Sequence, residues 1–327
     1  NNVTGIIPIE LGNLTKLVTL DIGYNQITGT IPASLGNLSK LENLWLNDLQ
    51  LTGEIPVELG DLSNLIYLGF STNQLTGSIP SELGSLSNLI YLSLFSNQLT
   101  GSIPVELGNL INLKELYLYT NQLSGDIPLE LGALANIERL SLYDNQLTGS
   151  IPVELGNLSN LQFLQLGQNQ LSGSIPAEIG YCANLRTLNL SNNQLSGTIP
   201  VEIGNLTDLN IFNVSNNNLE GDLPNEIGNL INISQLYLYK NNFTNCPDLS
   251  SLANLVVFRI FDNYLTFGDL ENININFYNP NYQYAPQAQL PEPLQTPSGG
   301  NIIFSFATDG TGNTYQWFKD GVEIAGE

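Results

Sequence analysis

A 24-residue period dominates this chain of 327 residues and constrains what it can fold into. The heptapeptide QLTGSIP occurs at 74–80, 98–104 and 146–152, and a longer unit, LxxLxxLxLxxNxLxGxIPxxLG, aligns outward from it. The unit starts at Leu14, Leu38, Leu62, Leu86, Leu110, Leu134, Leu158, Cys182, Leu206 and Leu230. A 22-residue step leads to a degenerate unit at Leu252, and residues 1–13 form the back half of an earlier unit. Such a period is typical of solenoids, in which each repeat forms one coil.

Each unit begins with a short strand that buries one side. In the first complete unit, Leu20 and Ile22 face one way and Asp21 faces the other, because side chains alternate along a strand. One coil buries too few apolar side chains to offset the entropy of ordering its backbone, so neighbouring coils must cover both of its flat ends. The pattern therefore predicts stacked strands about 4.8 Å apart in one parallel sheet.

An asparagine follows the strand at one fixed place in nearly every coil. The column consists of Asn25, Asn73, Asn97, Asn121, Asn145, Asn169, Asn193, Asn217, Asn241 and Asn263. An amide at this place can bond backbone groups left unpaired at the bend, including those of the next coil. Leu49 interrupts the column, so we expect a local irregularity there, or a substitute hydrogen bond from Asn47 or Asp48.

The repeat resembles the leucine-rich repeat family, in the LxGxIP class typical of plant receptor ectodomains and polygalacturonase inhibitors. The resemblance covers residues 3 to about 265. It implies an α/β-type solenoid with a concave parallel β-sheet, short second strands around the LxGxIP segments, and 3-10 turns or loops on the convex side. It also implies a binding ectodomain rather than an enzyme. Plant members usually carry paired cysteines at the ends of the solenoid, and this chain has none. In this respect the chain is more similar to a bacterial surface or secreted protein with the same repeat.

The period divides the chain into three parts. Residues 1–265 are assigned to the solenoid, with about ten repeats and partial ends. Residues 266–300 contain Asn, Tyr, Gln and five prolines and are interpreted as a C-terminal cap and linker. In 301–327 the segment YQWFKDGVEI resembles strand C of immunoglobulin-like domains in bacterial adhesins, with Trp317 as the core residue. We expect a truncated immunoglobulin-like segment there.

Charge and residue usage exclude several function classes. Thirty acidic residues face eight basic ones, a net charge of −22, which excludes nucleic acid as a partner because phosphate binding needs Lys and Arg clusters. The absence of histidine removes His-dependent catalysis and His-containing zinc sites. No apolar run reaches the roughly 18 residues of a membrane span. We predict no metal and no cofactor, and interpret the glutamates that recur just after the prolines as a solvated ridge on the back of the solenoid.

Catalysis by paired carboxylates is also disfavoured. Glycosidases need two carboxyl groups about 5–9.5 Å apart. The acidic residues on the outward side of the strands are Asp21, Asp48, Glu115 and Asp144. The spacing of strands and residues places the best pairs of them roughly 16–20 Å apart, so the chain is predicted not to be an enzyme.

Aromatic residues recur at the outward positions of the strands and of the bends that follow them. Tyr and Trp offer large contact area at low entropy cost and are enriched in binding hot spots. The predicted ligand face consists of Trp45, Tyr67, Tyr91, Phe95, Glu115, Tyr117, Tyr119, Arg139, Tyr143 and Phe163. Glu115 and Arg139 lie one repeat apart in one column, and we expect a lateral ion pair between them.

A structural explanation for the aromatic residues is also open, because they favour strands and pair laterally. The eighth and ninth units weaken it, since their outward residues are mostly small and polar although the same structural need would apply there. We therefore predict an extracellular recognition or adhesion module, secreted or at the cell surface, that binds a protein or peptide on its concave face. Two alternatives remain, a glycan-binding module that uses the same aromatic residues and a structural adhesin spacer.

Overall fold

The computed structural model describes residues 1–266, residue 269 and the strands Tyr282–Gln283, Trp317–Lys319 and Val322–Ile324. Within residues 1–266, successive coils repeat a strand of the main sheet, a bend, a short second strand in most coils, and a 3-10 helix. The predicted solenoid with a concave parallel sheet is confirmed.

The main sheet has twelve parallel strands in the described part of the chain. Neighbouring strands pair with a constant offset of one repeat, so Leu20 lies opposite Leu44 and Leu116 lies opposite Leu140. The strands are Thr19–Asp21, Asn43–Trp45, Tyr67–Gly69, Tyr91–Ser93, Glu115–Tyr117, Arg139–Ser141, Phe163–Gln165, Thr187–Asn189, Ile211–Asn213, Gln235–Tyr237, Val257–Arg259 and Tyr282–Gln283. The last of them adds parallel to Val257–Arg259 and so extends the sheet beyond the repeats.

The second strands form shorter parallel ladders after the bend, as the resemblance implied. They are Thr4–Ile6, Gln26–Gly29, Gln50–Gly53, Gln74–Leu75, Ser124–Asp126, Gln146–Thr148, Ser172–Gly173, Gln194–Gly197, Asn218–Asp222 and Asn242–Asn245. Isolated bridges, such as the one between Ser78 and Thr100, continue the ladder between these strands.

A 3-10 helix closes the convex side of each coil up to Asn229, whereas the shortened coil that starts at Leu230 has none. The helices are Ile9–Asn13, Ala33–Asn37, Val57–Asp61, Ser81–Ser85, Val105–Asn109, Leu129–Ala133, Val153–Asn157, Ala177–Tyr181, Val201–Asn205 and Asn225–Asn229. Each follows a proline in extended conformation, where no backbone donor is needed. The helices stack closely, since a Cβ added at Gly108 would lie 2.4 Å from the backbone oxygen of Glu130.

Leucine and isoleucine side chains from all coils form one continuous core. Leu20 is 7% exposed and Leu116 is fully buried, which confirms the side of the strand that the alternation assigned to the core. Cys182 takes the place of the first leucine of its unit and is buried as a free thiol. Burial raises the pKa of this thiol to about 11, so it remains protonated at neutral pH.

The asparagine column forms a ladder of hydrogen bonds that joins the coils. Asn121 Nδ2 donates to the carbonyl oxygens of Leu118, in its own coil, and of Leu94, in the preceding coil, at 3.1 and 3.0 Å. Its Oδ1 accepts from the N–H of Leu99 at 3.1 Å. The bonds therefore reach the preceding coil, not the next one as expected.

The irregularity expected at Leu49 is limited to its hydrogen bonds: the backbone bond that Asn73 donates to the Ser96 carbonyl, and that recurs in later coils, has no counterpart at Leu49 or Asn25. Leu49 is buried in the core, and the residue before it, Asp48, has the same backbone conformation as its equivalents in other coils, with φ 53°. Asn47 does form side-chain hydrogen bonds, but it accepts them from the N–H and the hydroxyl of Ser71, at 2.9 and 2.7 Å. These bonds lie on the concave face of the following coil, not at the bend.

A left-handed residue precedes the asparagine position in every coil. Eleven non-glycine residues in residues 1–266 have φ between 52° and 57° at this place: Tyr24, Asp48, Thr72, Ser96, Thr120, Asp144, Gln168, Asn192, Asn216, Lys240 and Asp262. From the coil of Asn73 to that of Asn241, the conformation turns the asparagine inward while both backbone N–H groups bond the next coil, as in Thr120 to Tyr143 and Asn121 to Asp144. The residue types at this position vary too widely for the sequence to reveal it.

The structure describes only a few residues of the predicted C-terminal cap, linker and immunoglobulin-like segment. Trp317–Lys319 and Val322–Ile324 pair as an antiparallel hairpin. The rest of 301–327 and nearly all of 267–300 lie outside the described residues, so the cap, linker and immunoglobulin-like segment stay predictions. No helix in the described residues is long and apolar enough to cross a membrane.

Candidate functional site

Six aromatic side chains from four adjacent coils meet on the concave face. We call them the aromatic cluster, and its members are Trp45, Tyr67, Tyr91, Phe95, Tyr117 and Tyr119. The Trp45 ring centroid lies 5.8 Å from Tyr67 and 5.3 Å from Tyr91. Tyr91 continues to Tyr117 at 5.7 Å. The cluster is thus one connected surface rather than a row of separate rings.

Phe95, Tyr117 and Tyr119 pack against one another in two different ring geometries. Phe95 and Tyr119 stack nearly flat, with centroids 4.3 Å apart and planes at 8°. Tyr117 meets Tyr119 edge to face, at 6.2 Å and 88°. Both arrangements are favourable for aromatic pairs. All of these rings except Tyr67 are about half-buried, and Tyr67 is 36% exposed, so the cluster is accessible but ordered.

A glycine explains how Trp45 reaches across the sheet. Gly69 lies directly opposite Trp45 on the next strand. A Cβ at Gly69 would be 2.5 Å from Trp45 Cε3, so the indole rests where a side chain would otherwise stand. The indole thereby contacts Tyr91, two coils away. The sequence interpretation did not include Gly69, although a lone glycine in this outward column was the available signal.

The expected ion pair between Glu115 and Arg139 is wrong. The two residues are paired in register on adjacent strands, as predicted. Glu115 nevertheless accepts a hydrogen bond from the Tyr117 hydroxyl at 2.7 Å, and the Arg139 guanidinium lies 3.8 Å from the centre of the Phe163 ring. The Glu115 carboxylate and the Arg139 guanidinium thus each interact with another side chain instead of with each other. The ion pair within 4 Å in the described residues joins the neighbouring Lys114 and Glu138, at 3.3 Å.

The phenols at the centre of the cluster are held in their neutral form. Burial raises the pKa of Tyr117 well above its ordinary value, and the hydrogen bond to Glu115 and the charge of that carboxylate act in the same direction. Burial likewise raises the pKa values of Tyr91 and Tyr119. At neutral pH these groups can therefore only act as uncharged hydrogen-bonding groups.

The remaining predicted site residues lie beside the cluster in two pairs. Arg139 and Phe163 form the cation–π pair. The Tyr143 hydroxyl accepts a hydrogen bond from Gln168. The structure thus joins six of the ten predicted residues directly through their rings and a seventh, Glu115, through Tyr117.

The next coils present a different surface. We call it the polar stretch, formed by Thr187, Asn189, Ser191, Asn192, Ile211, Asn213, Ser215 and Asn216. Its side chains bond one another: Asn189 Oδ1 accepts from the Ser191 hydroxyl and Asn213 Oδ1 from the Ser215 hydroxyl, both at 2.7 Å. Rings return only near the end of the repeats, where Tyr239 stacks on Phe261 at 4.6 Å.

A shallow groove of about 530 Å³ runs along one edge of the main sheet. It contains none of the predicted site residues. Its lining is Glu42, Asn64, Ile66, Asn88, Ile90, Asn112, Lys114 and Asn136. The asparagines hold adjacent coils together, as in the 2.7 Å bond from Asn64 Nδ2 to the Ser39 carbonyl. Among the described residues, no group of three or more acidic, cysteine or histidine side chains could hold a metal ion.

Family models for leucine-rich repeats match several parts of the chain. A model described as a leucine-rich repeat region covers residues 145–272, a two-copy leucine-rich repeat model covers 87–131, and a single-repeat model covers 16–38 and 64–86. No curated protein sequence matches the chain.

Solved structures with the same fold include plant receptors. A structure described as a TDR receptor is 34% identical, with a TM-score of 0.78, over 81% of this chain and 46% of that one. The plant peptide hormone receptor RGFR1 in complex with RGF2 is 31% identical, with a TM-score of 0.72, over 88% and 54%. A plant ice-binding protein is 27% identical, with a TM-score of 0.62, over 82% and 83%. The chain thus spans about half the length of these two receptor chains.

Proposed function

This chain is a leucine-rich repeat solenoid, and we propose that it is an extracellular, non-catalytic recognition module that binds an extended peptide or protein segment across its concave face. The observation that carries the proposal is the aromatic cluster, a connected and half-exposed set of rings on a surface that the fold leaves open. Aromatic anchors of this kind dominate the energetics of protein interfaces.

The geometry of the rings favours a peptide over a glycan. Sugar stacking requires an aromatic face that is open to the ligand. Here Phe95 and Tyr119 each have one face covered by the other, and one side of the Trp45 indole lies against Gly69. The neutral phenols beside these rings suit the backbone amides of a peptide, and the rings suit its side chains.

The structural comparisons support the same class of ligand. The receptor RGFR1 is described in complex with RGF2 and as a peptide hormone receptor, and it shares the fold of this chain at 31% identity. The cluster also gathers more aromatic surface than any other group of rings described on the concave face, since the second group consists of the stacked Tyr239 and Phe261. Adhesion through a protein on another cell surface is the setting we propose for this binding.

The test is a triple variant, Tyr117→Ala, Tyr119→Ala and Tyr143→Ala, assayed with peptides selected from a random display library on the wild-type chain. We expect binding to weaken by roughly 100-fold or more, because three interface anchors are lost. The melting temperature should fall by only a few degrees, since none of the three belongs to the leucine core.

A matched control removes three rings from equivalent columns at the other end of the solenoid. Tyr237→Ala, Tyr239→Ala and Phe261→Ala should leave peptide binding unchanged. Equal binding by both triple variants would contradict the proposal and favour a structural spacer. If no peptide binds the wild-type chain but a glycan on an array does, the result would favour the glycan-binding alternative.

A further inference from the structure

Five serines on the concave face are buried although strand alternation points them outward. They are Ser71, Ser93, Ser141, Ser191 and Ser215, and none is more than 5% exposed. Neighbouring side chains cover them, so their hydroxyls need partners within the protein. Because all five are serines on the same face, their hydrogen-bond partners can be compared directly.

Four of the five hydroxyls are hydrogen-bonded. Those of Ser71, Ser191 and Ser215 donate to asparagine Oδ1 atoms at 2.7 Å, and that of Ser141 donates to Gln165 Oε1 at 3.2 Å. The Ser93 hydroxyl is fully buried and has no hydrogen-bond partner among the described residues. Burying a hydroxyl without a partner is unfavourable, so this exception requires an explanation.

Ser93 lies at the centre of the aromatic cluster. In the sheet its neighbours are Gly69 on one side and Tyr117 on the other. Tyr91 precedes it by two residues on the same strand, and the Tyr91 ring contacts those of both Trp45 and Tyr117. The rings therefore cover this hydroxyl, and the nearest polar group on them is the Tyr91 phenol, which is close enough for Ser93 to lower its pKa but lacks the geometry of a hydrogen bond.

Trp45 is the part of this cover that lies over a residue without a side chain. Its indole occupies the space left by Gly69, next to the Asn47 amide, and forms a triangle with the rings of Tyr67 and Tyr91, whose centroids lie 6.5 Å apart. A rotation of the Trp45 side chain away from Gly69 would uncover a recess with Gly69 and Ser93 as its floor and with Tyr91 and Tyr117 as its wall. The backbone need not change, because Gly69 and Ser93 are held by the regular pairing of the sheet.

We propose that Ser93 is the polar anchor of a ligand subsite that Trp45 covers in the free protein. The subsite takes a small side chain that carries one hydroxyl or carboxamide group, which bonds the Ser93 hydroxyl while its apolar part contacts the surrounding rings. This proposal rests on the proposed function, since it assigns one position of the bound peptide. It also explains why, among the five buried serines compared above, the Ser93 hydroxyl alone is left without a hydrogen-bond partner.

Stability measurements test the first step without any ligand. Ser93→Ala should leave the melting temperature unchanged or raise it, because no hydrogen bond is lost. Ser215→Ala is the matched control, since Ser215 is equally buried but bonded, and it should lower the melting temperature by a few degrees. A loss in Ser93→Ala as large as that in Ser215→Ala would overturn the proposal.

Binding measurements test the second step, with display-selected peptides as the probe. We expect these peptides to share one position occupied by a hydroxyl or carboxamide side chain. Their affinity should fall about five- to tenfold for Ser93→Ala and remain unchanged for Ser141→Ala. If the triple variant of Tyr117, Tyr119 and Tyr143 abolishes binding while Ser93→Ala does not weaken it, the subsite is wrong and the proposed function stands. If the triple variant also binds normally, both fail.

Fluorescence tests the movement of the cover. Trp45 and Trp317 are the two tryptophans of the chain, so a Trp317→Phe background leaves Trp45 as the reporter. Peptide binding should shift the Trp45 emission to longer wavelength, because the indole moves away from Gly69 and becomes more exposed to water. Gly69→Ala should cause a similar shift without peptide, because the added methyl group would lie only 2.5 Å from Trp45 Cε3 and displace the indole. Unchanged Trp45 emission on saturation with peptide would overturn the opening step.

Discussion

The aromatic cluster and the polar stretch are built on the same backbone and differ only in what their side chains bond. Both lie on consecutive strands of one sheet with the same register and the same asparagine ladder beneath them. In the polar stretch the outward side chains satisfy one another. In the cluster, rings are grouped around a hydroxyl that forms no hydrogen bond of good geometry within the described residues. The sheet therefore does not require aromatic residues, and their grouping in four coils supports the ligand face that we propose.

The comparison depends on a shared scaffold, and the largest expected effect tests that premise. Asn121→Ala lies beneath the cluster and Asn217→Ala beneath the polar stretch. Each removes an amide that bonds three carbonyl oxygens and one N–H. We expect each to lower the free energy of unfolding by about 3 kcal/mol in urea denaturation. A difference of more than about 1 kcal/mol between the two would show that the coils are not equivalent supports.

A smaller effect distinguishes stability from binding within the polar stretch. Asn189→Ala removes the acceptor for both the N–H and the hydroxyl of Ser191, which is buried. The free energy of unfolding should fall by about 1–2 kcal/mol, because two donors lose their partner. Peptide affinity should remain that of the wild type, as measured by isothermal titration. Weakened binding would place part of the ligand on the polar stretch and make the two regions one site.

The smallest effect concerns alkaline pH and belongs to the cluster alone. The folded-state pKa of Tyr117 is raised, so the unfolded chain loses this proton first, near the ordinary value of 10.0. The stabilisation is present below that pH and is lost as pH rises above it. Tyr117→Phe should therefore lose stability less steeply above pH 10, by less than about 1 kcal/mol because the group is half-exposed.

Urea denaturation at increasing pH, with tyrosinate absorbance as a second readout, measures this difference. Tyr181→Phe is the control, since Tyr181 is 62% exposed on the convex side. It should follow the wild-type curve. Identical curves for Tyr117→Phe and the wild type would show that the Tyr117 phenol titrates normally.

The repeat made most of the fold predictable, because a constant period fixes which residues share a column. Alternation along the strand placed Leu20 and Leu116 in the core and Trp45 and Tyr119 on the open face, as found. The second strands and 3-10 helices followed from the family resemblance. The left-handed residue did not, because the preference for αL is weak and positions such as Thr72 and Lys240 hide it.

Side-chain partners were less predictable than columns. Register placed Glu115 beside Arg139, but a hydroxyl two residues along the same strand and a ring on the next strand competed successfully for the two charges. The orphan hydroxyl of Ser93 was likewise invisible, since its burial depends on how Trp45 leans over Gly69. Such outcomes depend on rotamers and on several neighbours at once, which a one-dimensional pattern does not contain.

The uniform pairing offset gives the concave face a modular order. From Thr19–Asp21 to Gln235–Tyr237, each strand meets its neighbours through the same contacts, whatever its outward residues are. Duplicating or excising one whole coil would therefore insert or remove one row of the ligand face while the interior re-forms around it. Recombination between repeats can therefore change the outward residues of such a surface one row at a time, while the leucine core stays the same.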